Sequence, residues 1–305
     1  MANEGKGRTL LLTGGTGFVG RFLVPELLAD GWQVVVLSRQ SAQAVASILG
    51  SEVRAIGRFD EWGLEEGPAV CINLAGEGIM DRRWTPKRKE VLRKSRIGLT
   101  HDLVKWLNSF PSPPEVFLSG SAVGYYGIER GDKPLTEDEP AGRDFAAQLC
   151  HDWEQAARAI NEKSRLCLIR TGIVLHGKHG ALARMLPPFR MGLGGPIGEG
   201  RQVMPWIHIQ DMVSGIIHLL HNEVSGAFNF ASGTSNSNLA FARALGKALH
   251  RPAVMPMPAF ALKALLGESA VLLLEGQHPV PGALEASGFR FAFPDIDGAL
   301  QDLLG

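Results

Sequence analysis

Cysteine is scarce in this chain: three residues among 305, at positions 71, 150 and 167, with no CxxC spacing. That excludes a disulfide framework and a cysteine-based zinc site, and it fits a reduced, cytoplasmic compartment. Long apolar runs are missing too. No segment reaches the roughly 18 apolar residues that a membrane span needs. Residues 1–8 are polar and glycine-containing, without the apolar stretch of a signal peptide, and are expected to form a frayed tail. Neither sign of charge is in excess, with 31 Lys and Arg against 31 Asp and Glu, which argues against nucleic acid or a membrane as a partner. Internal repeats and low-complexity tracts are absent. Tyrosine is the rarest residue, with only Tyr125 and Tyr126. A small-molecule substrate is therefore the expected partner, with a homodimer left open as the assembly state.

Hydrophobic residues, at 45% of the chain, leave ample material for a core. Residues 9–13, 33–38, 52–56, 69–74, 115–119 and 165–170 are short apolar runs rich in Val, Ile and Leu, as buried parallel strands are. Helical patterns fall between them at 18–29, 41–49, 86–108 and 145–161. This alternation predicts an α/β fold, a doubly wound parallel sheet. After about residue 175 the texture changes. Gly-rich and Pro-rich loops (187–188, 192–200) precede helical patterns at 209–221, 238–249 and 259–266. The expected division is a Rossmann domain over 1–175 and a smaller lobe over 176–305, with some segments returning to the sheet. The lobe would close over the carboxyl ends of the strands, where such folds bind ligands.

The sharpest motif is TGGTGFVG at residues 13–20. Gly15, Gly17 and Gly20 form GxGxxG, and Gly14, Gly17 and Gly20 form GxxGxxG. The motif follows a predicted strand and opens a predicted helix, the context it requires. Gly14, Gly15, Thr16, Gly17, Phe18, Val19 and Gly20 thus become cofactor candidates. The helix N-terminus offers free N–H groups to a pyrophosphate, and Gly20 lets helix and sheet approach. At the end of the second strand stand Ser38 and Arg39 rather than an acid. A guanidinium suits a 2′-phosphate, so NADP(H) is expected, unless Arg39 is an ordinary solvated charge. Leu74, Ala75 and Gly76 end the fourth strand with small residues suited to a passing cofactor, and Glu77 beyond them is a substrate candidate.

The stretches TGGTGFVG, NLAGEGI, RRWTPKRKEVLRKSRIGLT, SGSAVGYYG, DWEQAA, RTGIVL, PPFRMGLGGPIGEGRQ and PWIHIQD carry a resemblance that extends over nearly the whole chain. Together they resemble the extended short-chain dehydrogenase/reductase superfamily. More narrowly, they resemble its "epimerase family protein" branch, whose uncharacterised C-terminal domain is matched by LLLEGQHPVPGALEASGFRF. The resemblance implies an NADP-dependent oxidoreductase or nucleoside-diphosphate-sugar epimerase-like enzyme. It makes Ser121 the serine that orients substrate. It also implies a Tyr-x-x-x-Lys pair, but anchoring on Glu154 places Ala146 at the tyrosine position and Cys150 at the lysine position. Arg96 stands where an Asn is usual, which places it beside the cofactor. Tyr125 or Tyr126 is then a candidate substitute acid, or both are loop-packing aromatics.

Further candidates follow. Arg82, Arg83, Lys87 and Arg88 form a positive patch, either facing the cleft or solvated. Arg93 and Arg96, at i, i+3 on the same helix, are expected to share a face, and Glu90 on that helix is a weaker cofactor candidate. In the resembling superfamily, the stretch ending at Val174 lies beside the nicotinamide, and Arg170 is either near it or ion-paired with Glu154. Trp206 and His208 match a second-lobe signature and are substrate candidates, although a His in an apolar run also suits a packed core. Asp211 fits the first turn of the helix that follows. Residues 192–198 are glycine-rich enough to form a lid. No metal site is expected. The competing function is a catalytically silent NADP(H)-binding sensor.

Overall fold

The computed structural model describes residues 5, 7–128, 130–234 and 236–305. The apolar runs become seven parallel strands: β1 (Thr9–Thr13), β2 (Gln33–Leu37), β3 (Arg54–Ile56), β4 (Val70–Asn73), β5 (Val116–Ala122), β6 (Arg165–Thr171) and β7 (Gly226–Phe230). Their spatial order is β7-β6-β5-β4-β1-β2-β3. The order reverses direction between β1 and β4, which opens a crevice at the carboxyl ends of those two strands.

Alternate residues on each strand serve opposite faces. Leu10 and Leu12 of β1 pack with Leu23, Val24 and Leu27 of α1 (Phe18–Ala29), and with Ile216 and Leu219 of α7 (Ile209–His221). Leu11 faces the other way, toward Phe117, toward Leu103 and Leu107 of α4 (Leu99–Leu107), and toward Ala157 of α5 (Phe145–Arg158). The remaining helices labelled here are α2 (Ala42–Leu49), α3 (Pro86–Arg93), α6 (Gly180–Arg190) and α8 (Asn238–Ala248).

The long helix expected over 86–108 is interrupted. Between α3 and α4 the backbone makes a π-turn at Lys94–Gly98. Such turns re-aim side chains, and they often mark functional sites. The prolines expected to form a loop at 187–188 lie inside α6, because Leu182, Leu186 and Phe189 bury an apolar stripe in a second core. That core also holds Trp206, Phe241, Leu245, Ile296 and Leu300, all from the second half of the chain.

Strand β7 comes from the second half of the chain and completes the sheet beside β6, with Phe228 opposite Ile169. Of the tail expected at 1–8, residues 1–4 and 6 lie outside the described residues. The described part is docked: Gly5 is buried against Trp32, and Arg8 reaches Glu115 at 2.6 Å. The three cysteines are free and buried. No helix among the described residues is long and apolar enough to cross a membrane.

Candidate functional site

The glycine turn sits at the crevice between β1 and β4. Gly14 adopts φ +75°, a left-handed conformation that L side chains rarely adopt, and a Cβ there would lie 2.7 Å from the Leu74 carbonyl carbon. A Cβ on Gly20 would stand 2.5 Å from Gly14 O and 2.6 Å from the Gly15 Cα. Gly15 is squeezed between Val36 and Leu12. Helix α1 begins with Gly17 as its N-cap, without a side-chain cap and without an acid in its first turn. Its first N–H groups therefore keep their capacity for an anion.

A cavity of about 930 Å³ opens on this turn, within the size range of small-molecule sites. Gly14, Thr16, Gly17, Ser38, Arg39, Ala75, Gly76 and Glu77 line it, together with Leu37, Lys94 and Ser95. Gly57, Arg58, Phe59 and Asp60, in the turn after β3, also line it. Sequence reasoning missed that turn, although the basic Arg58 beside an aromatic was a usable signal.

Phe18 and Val19 belong to the first turn of α1 and pack sideways, with Phe18 5.7 Å from the His179 ring. Leu74 closes the strand through its N–H to Thr13 O at 3.1 Å. The Glu90 carboxylate is directed along its own helix to Lys94 at 3.7 Å. Val174 sits in a short strand, Ile173–His176, paired with Trp206–His208.

A buried polar knot at the strand ends shapes the floor. Thr13 Oγ1 donates to Asn73 Oδ1 at 2.6 Å, and Asn73 Nδ2 donates to Thr100 Oγ1 at 2.8 Å. The Trp153 indole also donates to Thr100, at 2.9 Å, and the Ala75 N–H donates back to Thr13 Oγ1. Buried amides and hydroxyls survive only when paired, so this knot fixes the path of the chain from Asn73 to Ala75. The signal for it was an asparagine ending an otherwise apolar strand.

The π-turn aims Arg96 at the same loop. Its Nη2 donates to Glu77 O at 2.9 Å, its guanidinium lies 5.4 Å from the Trp153 ring, and a Cβ on Gly76 would touch it at 3.1 Å. Arg93, one π-turn away, pairs instead with Asp152 at 2.9 Å, so the expected shared face of Arg93 and Arg96 is broken. Two residues of the positive patch, Arg83 and Arg88, serve the structure, while Arg82 and Lys87 are exposed. Arg83 donates to the carbonyls of Leu265 and Ala264, which end the helix Ala259–Leu266. Arg88 is buried and donates to Gly78 O at 2.6 Å.

The expected catalytic group meets a different fate. Ser121 Oγ donates to Glu154 Oε1 at 2.7 Å, and both residues are buried. Arg170 closes on the same carboxylate with Nε at 2.9 Å and Nη2 at 3.1 Å. Its Nη1 donates to the Tyr126 hydroxyl at 3.0 Å and to Glu137 O at 2.9 Å. Tyr126 in turn donates to Asn229 Oδ1 at 2.6 Å. Burial lowers the pKa of Arg170, but the Glu154 carboxylate outweighs this and holds the guanidinium above its ordinary value.

Tyr126 is corrected as an acid candidate. It is 0% exposed, its proton is committed to Asn229, and burial pushes its pKa up to about 12 despite Arg170. Ser121 is equally committed. Tyr125 is half-buried, and its ring covers the Arg170 guanidinium at 3.6 Å. At the lysine position, Cys150 is buried, and desolvation pushes its thiol up to about 12 against the pull of Arg96. Ala146 at the tyrosine position is buried as well.

The substrate candidates Trp206 and His208 are both buried. Trp206 is 1% exposed in the second core, and its indole donates to Asn236 Oδ1 at 2.9 Å. His208 caps α7 by accepting from the Gln210 N–H at 3.1 Å, stacks on Phe293 at 3.9 Å and lies 3.2 Å from Asp302. Asp211 is buried and accepts from the N–H groups of Ala292 and Phe293, which ties the C-terminal segment to α7. The glycine-rich segment 192–198 is not a free lid. It is bonded to a second segment through Met255 N to Gly194 O, Met257 N to Pro196 O and Gly198 N to Met257 O.

Comparison with known proteins matches this architecture. The model of the NAD dependent epimerase/dehydratase family aligns with residues 10–231, and a domain of unknown function, DUF1731, aligns with residues 257–303. The mouse epimerase family protein SDR39U1 is 39% identical over 303 residues, covering 97% of this chain and 99% of its own. A crystal structure of the human epimerase family protein SDR39U1 (isoform2) with NADPH superposes with a TM-score of 0.88 at 35% identity, over 97% of this chain and 99% of the other. A nucleoside-diphosphate sugar epimerase from Corynebacterium glutamicum superposes at 0.75 and 30% identity, over 99% of this chain and 59% of its own.

Proposed function

The chain belongs to the NAD dependent epimerase/dehydratase family, and from that premise we propose that it binds NADP(H) and passes hydride to or from a small substrate without the usual tyrosine–lysine pair. The observation that carries the cofactor reading is Arg39, at the mouth of a cavity whose floor is the glycine turn. The β2 end carries no acid to accept a ribose 2′-hydroxyl. The fit is steric as well: Gly14 and Gly20 leave backbone where any Cβ would intrude. The NADPH bound in the related human structure supports the same assignment.

In this reading the N–H groups at the start of α1 hold the diphosphate, Arg39 and Ser38 hold the 2′-phosphate, and residues 74–76 pass beneath the ribose. Arg96 and Val174 would be the residues offered to the nicotinamide end. When bound, the cofactor supplies a hydride donor or acceptor. The chain's own part is to bind, orient and exclude water, because Ser121 and Tyr126 have no free proton to move. Tyr125 is then the remaining tyrosine for proton transfer. With three buried thiols, a reducing cytoplasmic setting fits the protein.

Arg39→Ala is expected to weaken NADPH binding by about tenfold, the scale of one charge-assisted hydrogen bond, and to leave NADH binding within about twofold. Isothermal titration of both nucleotides against both proteins measures it, and equal losses would remove Arg39 from the 2′-phosphate site.

A second reading, a dinucleotide sensor without turnover, is favoured by Ala146 and Cys150, which leave the usual acid–base positions without a proton donor. Incubating the protein and NADPH with aldehydes, ketones and sugar nucleotides separates the two. Nucleotide oxidation supports turnover, and tight binding with no oxidation across the panel supports the sensor.

A further inference from the structure

The cofactor cavity carries an ion pair across its own mouth. Arg39 follows β2 and Glu77 follows β4, and β1 with its glycine turn lies between those strands. Both residues line the cavity, and Arg39 Nη2 lies 3.0 Å from Glu77 Oε1. Glu77 is held firmly from behind. Its N–H donates to Ser95 Oγ at 3.2 Å, its carbonyl accepts from Arg96, and its second carboxylate oxygen lies 3.4 Å from Arg88 Nη1. The Arg88 side chain is only 10% exposed, whereas the Arg39 side chain is 90% exposed. Glu77 is thus the anchored partner, and Arg39 is the one able to turn to another anion. The hydrogen bond from Arg39, with help from Arg88, holds the Glu77 carboxyl below the usual carboxylate range, so Glu77 is ionised at neutral pH and able to hold Arg39.

We propose that Glu77 is a built-in competitor for the cofactor's 2′-phosphate, and that by occupying Arg39 it sets how strongly the site prefers NADPH to NADH. This rests on the NADP(H) reading above. A phosphate offers more charge than a carboxylate and three acceptor oxygens, so it draws Arg39 away from Glu77. Glu77 then keeps Arg88 and is not left unpaired. NADH presents a 2′-hydroxyl, which has no charge with which to compete, and the Arg39–Glu77 pair persists when it binds. Glu77 therefore penalises the phosphorylated cofactor selectively and moderates a preference that Arg39 alone would make steeper.

The test is Glu77→Gln, which keeps the side chain's shape and the backbone bonds of the loop while removing its charge. Isothermal titration with NADPH, NADH and 2′,5′-ADP provides the readout. The expected result is two- to fivefold tighter binding of NADPH and 2′,5′-ADP, about the range of one exposed ion pair, with NADH unchanged. In an Arg39→Ala background the gain should shrink, because the competition for Arg39 is gone and only direct repulsion between the carboxylate and the phosphate, damped by Arg88, remains. Weaker NADPH binding by Glu77→Gln, or equal shifts for NADPH and NADH, would overturn the proposal while leaving the cofactor assignment standing. A wild-type protein that takes up neither nucleotide would overturn both.

Discussion

Arg170→Met is expected to destabilise the protein by about 3–5 kcal/mol, the typical consequence of stranding one member of a buried ion pair. Glu154 is 1% exposed, and in the native protein its two oxygens take both the Nε and Nη2 bonds of Arg170. Methionine fills much of the same volume but leaves that carboxylate with Ser121 as its remaining short contact among the described residues, apart from a longer approach by Arg158 at 3.8 Å. The damage spreads, because Arg170 also bonds the Tyr126 hydroxyl and the Glu137 carbonyl. The double variant Glu154→Gln with Arg170→Met removes both charges and should recover a large part of the loss. Urea unfolding midpoints for the three proteins measure the effect. A single variant within about 1 kcal/mol of wild type would mean that the pair is more hydrated than its burial indicates.

Gly20→Ala is expected to reduce NADPH affinity by about a hundredfold or more, roughly the worth of two charge-assisted hydrogen bonds. The added methyl has no space. It would enter contact with Gly14 O and the Gly15 Cα, which are main-chain atoms and cannot swing aside as a side chain can. Helix α1 must then move away from the turn, and the N–H groups at its start lose their aim at the diphosphate. Overpacking of this kind also costs about 1–3 kcal/mol of stability, so a thermal melt should accompany the titration. An alanine variant that folds and binds NADPH like wild type would show that the turn does not depend on this close approach.

The glycine turn and the parallel sheet were legible because each is written locally: short Val-, Ile- and Leu-rich runs, then glycines at fixed spacing where strand meets helix. Helices α1 and α7 fall at the residues their periodicity predicts. Strand β7 was harder, since GAFNF is short and opens with a glycine. It becomes a strand because the edge of β6 is there to receive it. Helix α6 contradicts its two prolines because Leu182, Leu186 and Phe189 have a core to enter. The cavity residues Arg39 and Glu77 were both visible, but the bond between them was not, since they stand 38 positions apart. The partners of the catalytic candidates were hidden for the same reason. Ser121 stands where the family's substrate-orienting serine is expected and Tyr126 was a candidate substitute acid, but Tyr126 is claimed by Asn229, 103 positions away, and Ser121 by a glutamate itself locked to Arg170. A sequence shows which groups can bond, whereas the fold decides which already have.

That β7 closes the sheet from so far along the chain has a consequence for biosynthesis. As the polypeptide leaves the ribosome, Arg165–Thr171 emerges well before Gly226–Phe230, and its outer row of N–H and carbonyl groups stays open until the later strand arrives. An open strand edge invites pairing with other nascent chains. The segment between the two strands thus sets how long that edge waits for its partner.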